Sequence, residues 1–175
     1  MSREQLLQMA RNNIAHGDAG TIPQAKEILK VPACNYYDVG RWKLEMKNIF
    51  SRVPLMLAMS AEIKSPGDYK AMEASGIPII IVRDKAGQVR AFVNMCSHRG
   101  AQLMEEGCGN THRFTCPYHA WSYNTEGELI GVLSPRDFGE FDKSENGLEE
   151  LPCLEKAGLV WVTPNPHSTL DITLF

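Results

Sequence analysis

The chain has 175 residues, of which 43% are hydrophobic and 22% are charged, and its formal net charge is −3. This length suits one domain or two very small ones, and the ordinary globular composition excludes collagen-like and disordered chains. The net charge is slightly negative, so the composition does not indicate a basic surface that would bind nucleic acid. The longest apolar stretches, residues 54–59 and 77–82, are far shorter than the ~18 residues of a membrane-spanning helix.

The start of the chain and its cysteines indicate the compartment. Residues 1–20 lack a charged start followed by an apolar segment, so the sequence predicts no secretory signal and a cytoplasmic location. The five cysteines are scattered and odd in number, which favours metal binding over a disulfide framework.

The first fifty residues have the periodicity of helices. Ser2 and Gln5 form a predicted capping box ahead of apolar residues at helical spacing. Gly17 and Gly20 are predicted to end this helix. Asp38 is the predicted N-cap of a second helix.

From Pro54 onwards, short apolar runs alternate with turn residues roughly every 8 to 12 positions, which is typical of an antiparallel β-sandwich or barrel. Residues 77–83 and 88–94 flank a glycine-containing turn and form a predicted hairpin. Residues 134–147 are polar and predicted to be irregular. The other predicted strands are 113–115, 121–124, 128–132, 151–155 and 159–163.

Two cysteines and two histidines form the pairs Cys96-x-His98 and Cys116-x-x-His119. Because Cys and His each number 5 in this chain, the chance of such a four-residue match is on the order of 10⁻⁴. Turn-forming residues accompany both pairs, so both are predicted to lie on loops between strands. We therefore expect a metal centre where the two loops meet.

The mixed pairing of thiol and imidazole indicates which centre. Structural zinc sites more often pair two cysteines and then two histidines, although zinc stays open as an alternative. A Rieske [2Fe–2S] cluster, in which two histidines replace two cysteines on one iron, fits better. Neutral imidazoles make the centre less negative than an all-cysteine cluster, so an electron is added more easily.

The segments Cys96–Leu103 and Phe114–Tyr123 resemble the Rieske domain of the large (α) subunit of aromatic-ring-hydroxylating oxygenases, and similar segments extend over residues 35–165. The resemblance implies a mainly β fold, a Rieske-type antiparallel β-sandwich with cluster-binding loops, preceded by an α-helical N-terminal arm. It also implies the cluster ligands, which are Cys96, His98, Cys116 and His119.

Three further residues are candidates to act around the cluster: Arg99 would fix the first loop, Trp121 would shield the cluster and Tyr123 would donate a hydrogen bond to a sulfur. Respiratory Rieske proteins carry a disulfide between the loops, which Ala101 and Tyr118 exclude here. Trp121 also replaces a serine that hydrogen-bonds the cluster in that branch. Because fewer hydrogen bonds reach the sulfurs, we expect a reduction potential near the low end of the Rieske range, about −150 mV.

The resemblance further implies one-electron transfer from a ferredoxin or flavin reductase to the mononuclear iron of an oxygenase catalytic domain. That Fe(II) is bound by two histidines and a carboxylate. His16, His112 and His167 match no such pattern, so we expect the iron in a catalytic domain outside this chain, within a homo- or hetero-oligomeric parent enzyme. The chain alone would be an electron carrier.

The predicted organisation has three parts. Residues 1–53 form the helical arm, residues 54–165 the Rieske domain, and residues 166–175 the start of a linker towards a missing catalytic domain. A free-standing Rieske ferredoxin and a zinc-stabilised binding module stay open as alternatives. Cys108 is expected to be a small buried side chain rather than a ligand.

Overall fold

The computed structural model describes residues 2–25, 27–139 and 142–172. The chain divides into two compact units, one comprising residues up to Arg41 together with Ile172, and the other Trp42–Asp171. Within the described ranges, no helix is long and apolar enough to cross a membrane.

The first unit contains helix α1, Arg3–Ala19. Its capping box is confirmed: the backbone N–H of Gln5 donates to Ser2 Oγ at 3.2 Å, and the backbone N–H of Ser2 donates to Gln5 Oε1 at 2.8 Å. Gly20 ends the helix with a left-handed φ of 62°. The predicted terminator role of Gly17 is wrong, because this residue lies inside the helix and only the left-handed turn at Gly20 reverses the chain.

The second predicted helix is also confirmed. Helix α2 spans Val39–Glu45, and the Arg41 N–H donates to Asp38 Oδ1 at 2.7 Å, as expected of an N-cap. One wider turn of π-helix, Met46–Phe50, follows it directly.

Eleven strands lie in the described part of the second unit. They are β1 (Leu55–Met59), β2 (Asp68–Ala74), β3 (Ile77–Arg83), β4 (Val89–Val93), β5 (Gly107–Asn110), β6 (Phe114–Thr115), β7 (Ser122–Tyr123), β8 (Leu129–Gly131), β9 (Glu150–Leu151), β10 (Cys153–Lys156) and β11 (Leu159–Val162). They form three sheets with the orders β1-β11-β10, β5-β2-β3-β4-β9 and β6-β7-β8, in which every pairing is antiparallel. The predicted mainly β, antiparallel class is confirmed.

Strand β3 is buried on both faces. Ile79 and Ile81 belong to the core shared with residues of β1 and β11, whereas Ile80 and Val82 belong to the core that contains the two motif cysteines. All four side chains are 0% exposed. Burying one such side chain contributes about 1.5–3 kcal/mol. Strand β3 therefore stabilises both cores, including the one that contains the cysteines of the two motif loops.

The predicted strand 151–155 is two strands in the structure, so this prediction is wrong. Strand β9 pairs with β4, whereas β10 pairs with β11. Pro152 lies between them and has no N–H to continue one ladder. The pattern also predicts no strand at β5, where two of the four residues are glycine, yet β5 pairs with β2.

The predicted domain bounds can be set beside the two units. The predicted Rieske domain, residues 54–165, lies within the second unit, while the predicted arm, residues 1–53, continues twelve residues past Arg41. The predicted linker, residues 166–175, extends outside the described residues and stays a prediction.

A buried carboxylate organises the turn of the β3–β4 hairpin. Asp84 is 2% exposed and accepts hydrogen bonds from the N–H groups of Ala86 and Gln88, at 2.9 and 2.8 Å, and from Arg90 Nε at 2.9 Å. Burial alone would raise the pKa of Asp84, but these hydrogen bonds outweigh it and hold the pKa below its ordinary value. The charged carboxylate therefore stabilises the folded state.

We expect Asp84→Asn to lower the free energy of unfolding by about 1.5–3 kcal/mol at pH 7, because hydrogen bonds to charged groups are worth about that much. The native pKa is depressed, so this contribution is present above the unfolded-state pKa of about 3.9 and is lost as the pH falls through the native pKa. Urea unfolding at a series of pH values from neutral to acid measures both effects.

The matched control is Lys85→Gln, which removes the ion pair with Glu126 at a side chain that is 77% exposed and is expected to change stability by less than about 1 kcal/mol. Equal stability of Asp84→Asn and the parent at pH 7 would contradict the role of this turn. A loss that stays constant on acidification would contradict its electrostatic cause.

Candidate functional site

The first motif loop follows β4 and carries Cys96 and His98. Two backbone hydrogen bonds close it: the Cys96 N–H donates to Ala101 O at 2.8 Å, and the Gly100 N–H donates to Cys96 O at 2.8 Å. Gly100 has a φ of 70°, a left-handed conformation that glycine adopts without steric cost. The chain therefore folds back immediately after the histidine.

The second motif loop, between β6 and β7, repeats this construction. The Cys116 N–H donates to Trp121 O at 2.8 Å, and the Ala120 N–H donates to Cys116 O at 3.0 Å. Ala120 takes the position equivalent to Gly100 and has a φ of 56°, although this conformation costs a residue with a Cβ about 1–2 kcal/mol. Both cysteine–histidine pairs are thus held in equivalent backbone frames.

The two thiols lie together in the core. Cys96 and Cys116 are each 3% exposed. Burial is the main cause that raises the pKa of Cys96, and the neighbouring Cys116 raises it further, whereas the Tyr123 hydroxyl acts in the opposite direction. The Cys96 thiol is therefore protonated without a metal, and a metal would bind by replacing that proton.

The two imidazoles also lie together. The ring centroids of His98 and His119 are 4.8 Å apart with an interplanar angle of 68°, and Trp121 stacks on His98 at 4.8 Å and 12°. Loss of solvation, then the nearby His119 and Arg99, lower the pKa of His98. A neutral imidazole is the form that binds metal.

One buried nitrogen shows that the residues fit a metal group. His119 Nδ1 is buried, and no hydrogen-bond partner for it exists among the described residues. An unsatisfied buried polar atom costs about 1–3 kcal/mol, and coordination to a metal would remove that cost. Two thiols and two imidazoles are also the donor set of a Rieske cluster.

The four candidate donors lie as a pair of thiols and a pair of imidazoles. In the ranges that the structure describes, no group of three or more His, Cys, Asp or Glu side chains could hold a single metal ion. A structural zinc would need four ligands around one ion. In a Rieske cluster the cysteines bind one iron and the histidines the other, so no such group is required.

A hydroxyl network lies against the first loop. Tyr123, which is 0% exposed, has its hydroxyl oxygen 3.1 Å from Cys96 Sγ and 2.9 Å from Ser97 Oγ, and it accepts the Ser97 N–H at 3.1 Å. The Ser97 hydroxyl donates to Asn146 O at 2.8 Å. Burial, and then the contact with Cys96, raise the pKa of Tyr123 far above its ordinary value, so it remains a donor.

Sequence reasoning missed Ser97 and Asn146. Ser97 lies inside the Cys96-x-His98 motif, and that position is a signal that could have identified it. Asn146 belongs to a short 3₁₀ turn, Lys143–Asn146, within the segment predicted to be irregular. Only the tertiary structure brings its carbonyl to the loop.

The remaining candidates lie in different surroundings. Trp121 is 4% exposed against His98, a place that suits shielding. Arg99 is exposed, and no ion pair with a carboxylate is found for it among the described residues. Cys108 is exposed on β5, so the expectation of a buried thiol is wrong because the short β5 lies at a sheet edge. His112 is exposed, outside both loops.

Sequence comparisons identify the relatives of this chain. The family model for the Rieske [2Fe–2S] domain matches residues 53–152. The chain is 37% identical over 129 residues to the anthranilate 1,2-dioxygenase large subunit of Acinetobacter baylyi, an alignment that covers 73% of this chain and 27% of that one. It is 32% identical over 144 residues to the carnitine monooxygenase oxygenase subunit of Escherichia coli, covering 82% and 38%.

Solved structures agree. Naphthalene 1,2-dioxygenase from Rhodococcus sp. matches with a TM-score of 0.74 and 35% identity over 80% of this chain and 32% of that chain. A quaternary ammonium Rieske monooxygenase in complex with L-carnitine matches with a TM-score of 0.72 and 32% identity, covering 79% and 39%. The chain thus spans 27% to 39% of the length of these relatives. Since the family model matches more than half of it, the chain belongs to the Rieske [2Fe–2S] domain family, with relatives among the α subunits of Rieske oxygenases.

Proposed function

We propose that this chain is the electron-transfer domain of a Rieske oxygenase, with Cys96 and Cys116 as ligands of one iron and His98 and His119 as ligands of the other. The observation that carries the proposal is the buried His119 Nδ1, which has no hydrogen-bond partner in the described chain and lies beside a second imidazole. When bound, the [2Fe–2S] cluster supplies reversible one-electron transfer.

The cysteine side and the histidine side of the site differ in their exposure to solvent. Cys96 and Cys116 belong to the buried core, which keeps water away from the sulfur side. His98 and His119 are half-buried and reach the surface, so the imidazole side is the route by which an electron enters or leaves. The stacked Trp121 ring covers one face of His98 and limits solvent there.

The proposed partners follow from the relatives. The electron donor is a ferredoxin or flavin reductase, and the acceptor is a mononuclear iron in the catalytic domain of an oxygenase α subunit within a homo- or hetero-oligomer. The low coverage of the relatives supports a catalytic domain elsewhere. The proposal places the protein in the cytoplasm, where thiols stay reduced. Since relatives named for anthranilate and for carnitine match similarly, no substrate class is favoured.

Replacing a cysteine ligand should abolish the cluster. We expect the parent chain to hold about two irons and two sulfides and, once reduced, to give the electron paramagnetic resonance (EPR) signal of a Rieske centre. Cys116→Ser should lose the metal and the signal, because an alcohol does not replace the thiolate. The matched control is Cys108→Ser, an exposed cysteine eight residues earlier, which should retain both.

Either of two results would refute this assignment. One is a parent chain that contains zinc and gives no EPR signal, which would indicate the zinc-stabilised module. The other is a Cys116→Ser variant with an unchanged iron content and spectrum.

Replacing a histidine ligand by cysteine should lower the reduction potential. In His119→Cys a neutral imidazole becomes an anionic thiolate, so the added electron meets more negative charge. We expect a decrease on the order of 100 mV or more from a parent value of about −150 mV, towards the roughly −400 mV of all-cysteine clusters. An EPR-monitored redox titration measures it.

The control for this experiment is His112→Ala, which alters an exposed imidazole near the second loop and should leave the potential unchanged. His98→Cys provides an independent test should His119→Cys fail to assemble a cluster. An unchanged potential in a cluster-containing variant of either histidine would contradict its assignment as a ligand.

A further inference from the structure

We propose that Ser97 is a positioning residue that weakens the hydrogen bond from Tyr123 to the Cys96 sulfur, and that the Asn146 carbonyl holds Ser97 in the orientation required. This inference rests on the proposed function, since it concerns the potential of a cluster bound by Cys96. It is carried by four contacts among described residues and by the number of protons available to them.

The first step concerns the Ser97 proton. Ser97 Oγ lies 2.8 Å from Asn146 O. A carbonyl oxygen has no proton to give, so the single hydroxyl proton of Ser97 is donated to it. The lone pairs of Ser97 Oγ are then left as acceptors.

The second step concerns the Tyr123 proton. The Tyr123 oxygen accepts the Ser97 N–H at 3.1 Å, so its own proton is directed elsewhere. Two acceptors lie within reach, Ser97 Oγ at 2.9 Å and Cys96 Sγ at 3.1 Å. A phenol has one proton, and the ring is 0% exposed. Ser97 and the Cys96 sulfur therefore compete for one hydrogen bond.

The third step is the effect on the cluster. A hydrogen bond to a ligand sulfur stabilises the more negative, reduced state and raises the reduction potential. By taking part of the Tyr123 hydrogen bond, Ser97 keeps the potential lower than Tyr123 alone would set it. The serine hydroxyl thus opposes the tyrosine hydroxyl, although both lie beside the same sulfur.

The Asn146 carbonyl extends this control to a distant segment. Asn146 Nδ2 donates to Asp142 O at 2.7 Å, and the Leu148 N–H donates to Gly127 O at 2.7 Å, so hydrogen bonds on both sides hold Asn146 in place. Were Ser97 released from the carbonyl, its hydroxyl could turn and donate to Tyr123, leaving the tyrosine proton to the sulfur. The position of the 3₁₀ turn Lys143–Asn146 therefore influences the potential.

The test is a double-mutant cycle read by EPR-monitored redox titration of the cluster-loaded chain. Ser97→Ala should shift the midpoint potential upwards, so that the ratio of reduced to oxidised cluster rises severalfold at a fixed applied potential. Tyr123→Phe should shift it downwards. In the Tyr123→Phe background, Ser97→Ala should cause no further shift, because its effect passes through the tyrosine proton.

Two further variants separate this role from a structural one. Ser97→Thr keeps a side-chain hydroxyl at this position and should have the same reduction potential as the parent. The matched control is Ser122→Ala, which removes another serine hydroxyl near the loops; this one bonds Ala120 O at 3.2 Å and Thr115 Oγ1 at 3.0 Å rather than Tyr123. Its potential should match that of the parent.

Several outcomes would overturn the inference while leaving the proposed function intact. These are a lowered or unchanged potential in Ser97→Ala, a shift that persists in the Tyr123→Phe background, or an equal upward shift in Ser122→Ala. A parent chain with iron absent and no Rieske EPR signal would instead refute the proposed function, and this inference with it.

Discussion

The two motif loops must bring their cysteines and histidines to one place without a disulfide between them, and the rest of the structure depends on that constraint. Seventeen residues separate His98 from Cys116, and Ala101 and Tyr118 leave no disulfide to join the loops. The four backbone hydrogen bonds that close the loops each contribute about 0.5–1.5 kcal/mol. Metal coordination would add a direct link, because cluster binding and loop order are coupled.

The core beneath the loops supplies the rigidity that those few hydrogen bonds cannot. Ile80 and Val82 of β3 belong to the same buried cluster as Cys96 and Cys116, whereas the opposite face of β3 belongs to the second core. Since protein interiors are close-packed, a side chain set into such a core has little freedom to move. The sulfur positions are therefore determined by the central sheet rather than by the loops alone.

Local patterns explain which features could be predicted from the sequence. The capping box at Ser2, the β3–β4 hairpin and the paired cysteine–histidine motifs each lie within a few residues, and all of them are found in the structure. Features that depend on distant partners escaped prediction: β5 is a strand because β2 pairs with it, and the Ser97–Asn146 contact spans 49 residues. The roles of the four ligands stay predictions, because their spacing predicts a metal centre and the donor chemistry indicates only which centre fits.

Charge and dipoles act on the proposed cluster over different ranges of sequence. With the proposed ligands, four residues in two short motifs would set the number of anionic ligands, and that number sets the broad class of potential. Hydroxyl dipoles would adjust that value. The Tyr123 hydroxyl of β7 lies beside the Cys96 sulfur, and the neighbouring Ser97 hydroxyl is oriented by the Asn146 carbonyl of the turn Lys143–Asn146. The single Tyr123 proton cannot fully satisfy both Ser97 Oγ and Cys96 Sγ. Removing the Ser97 hydroxyl therefore need not lower the reduction potential. The motif alone therefore predicts the class of cluster, while the sign of each change in reduction potential depends on which atoms accept the hydroxyl protons in the folded structure.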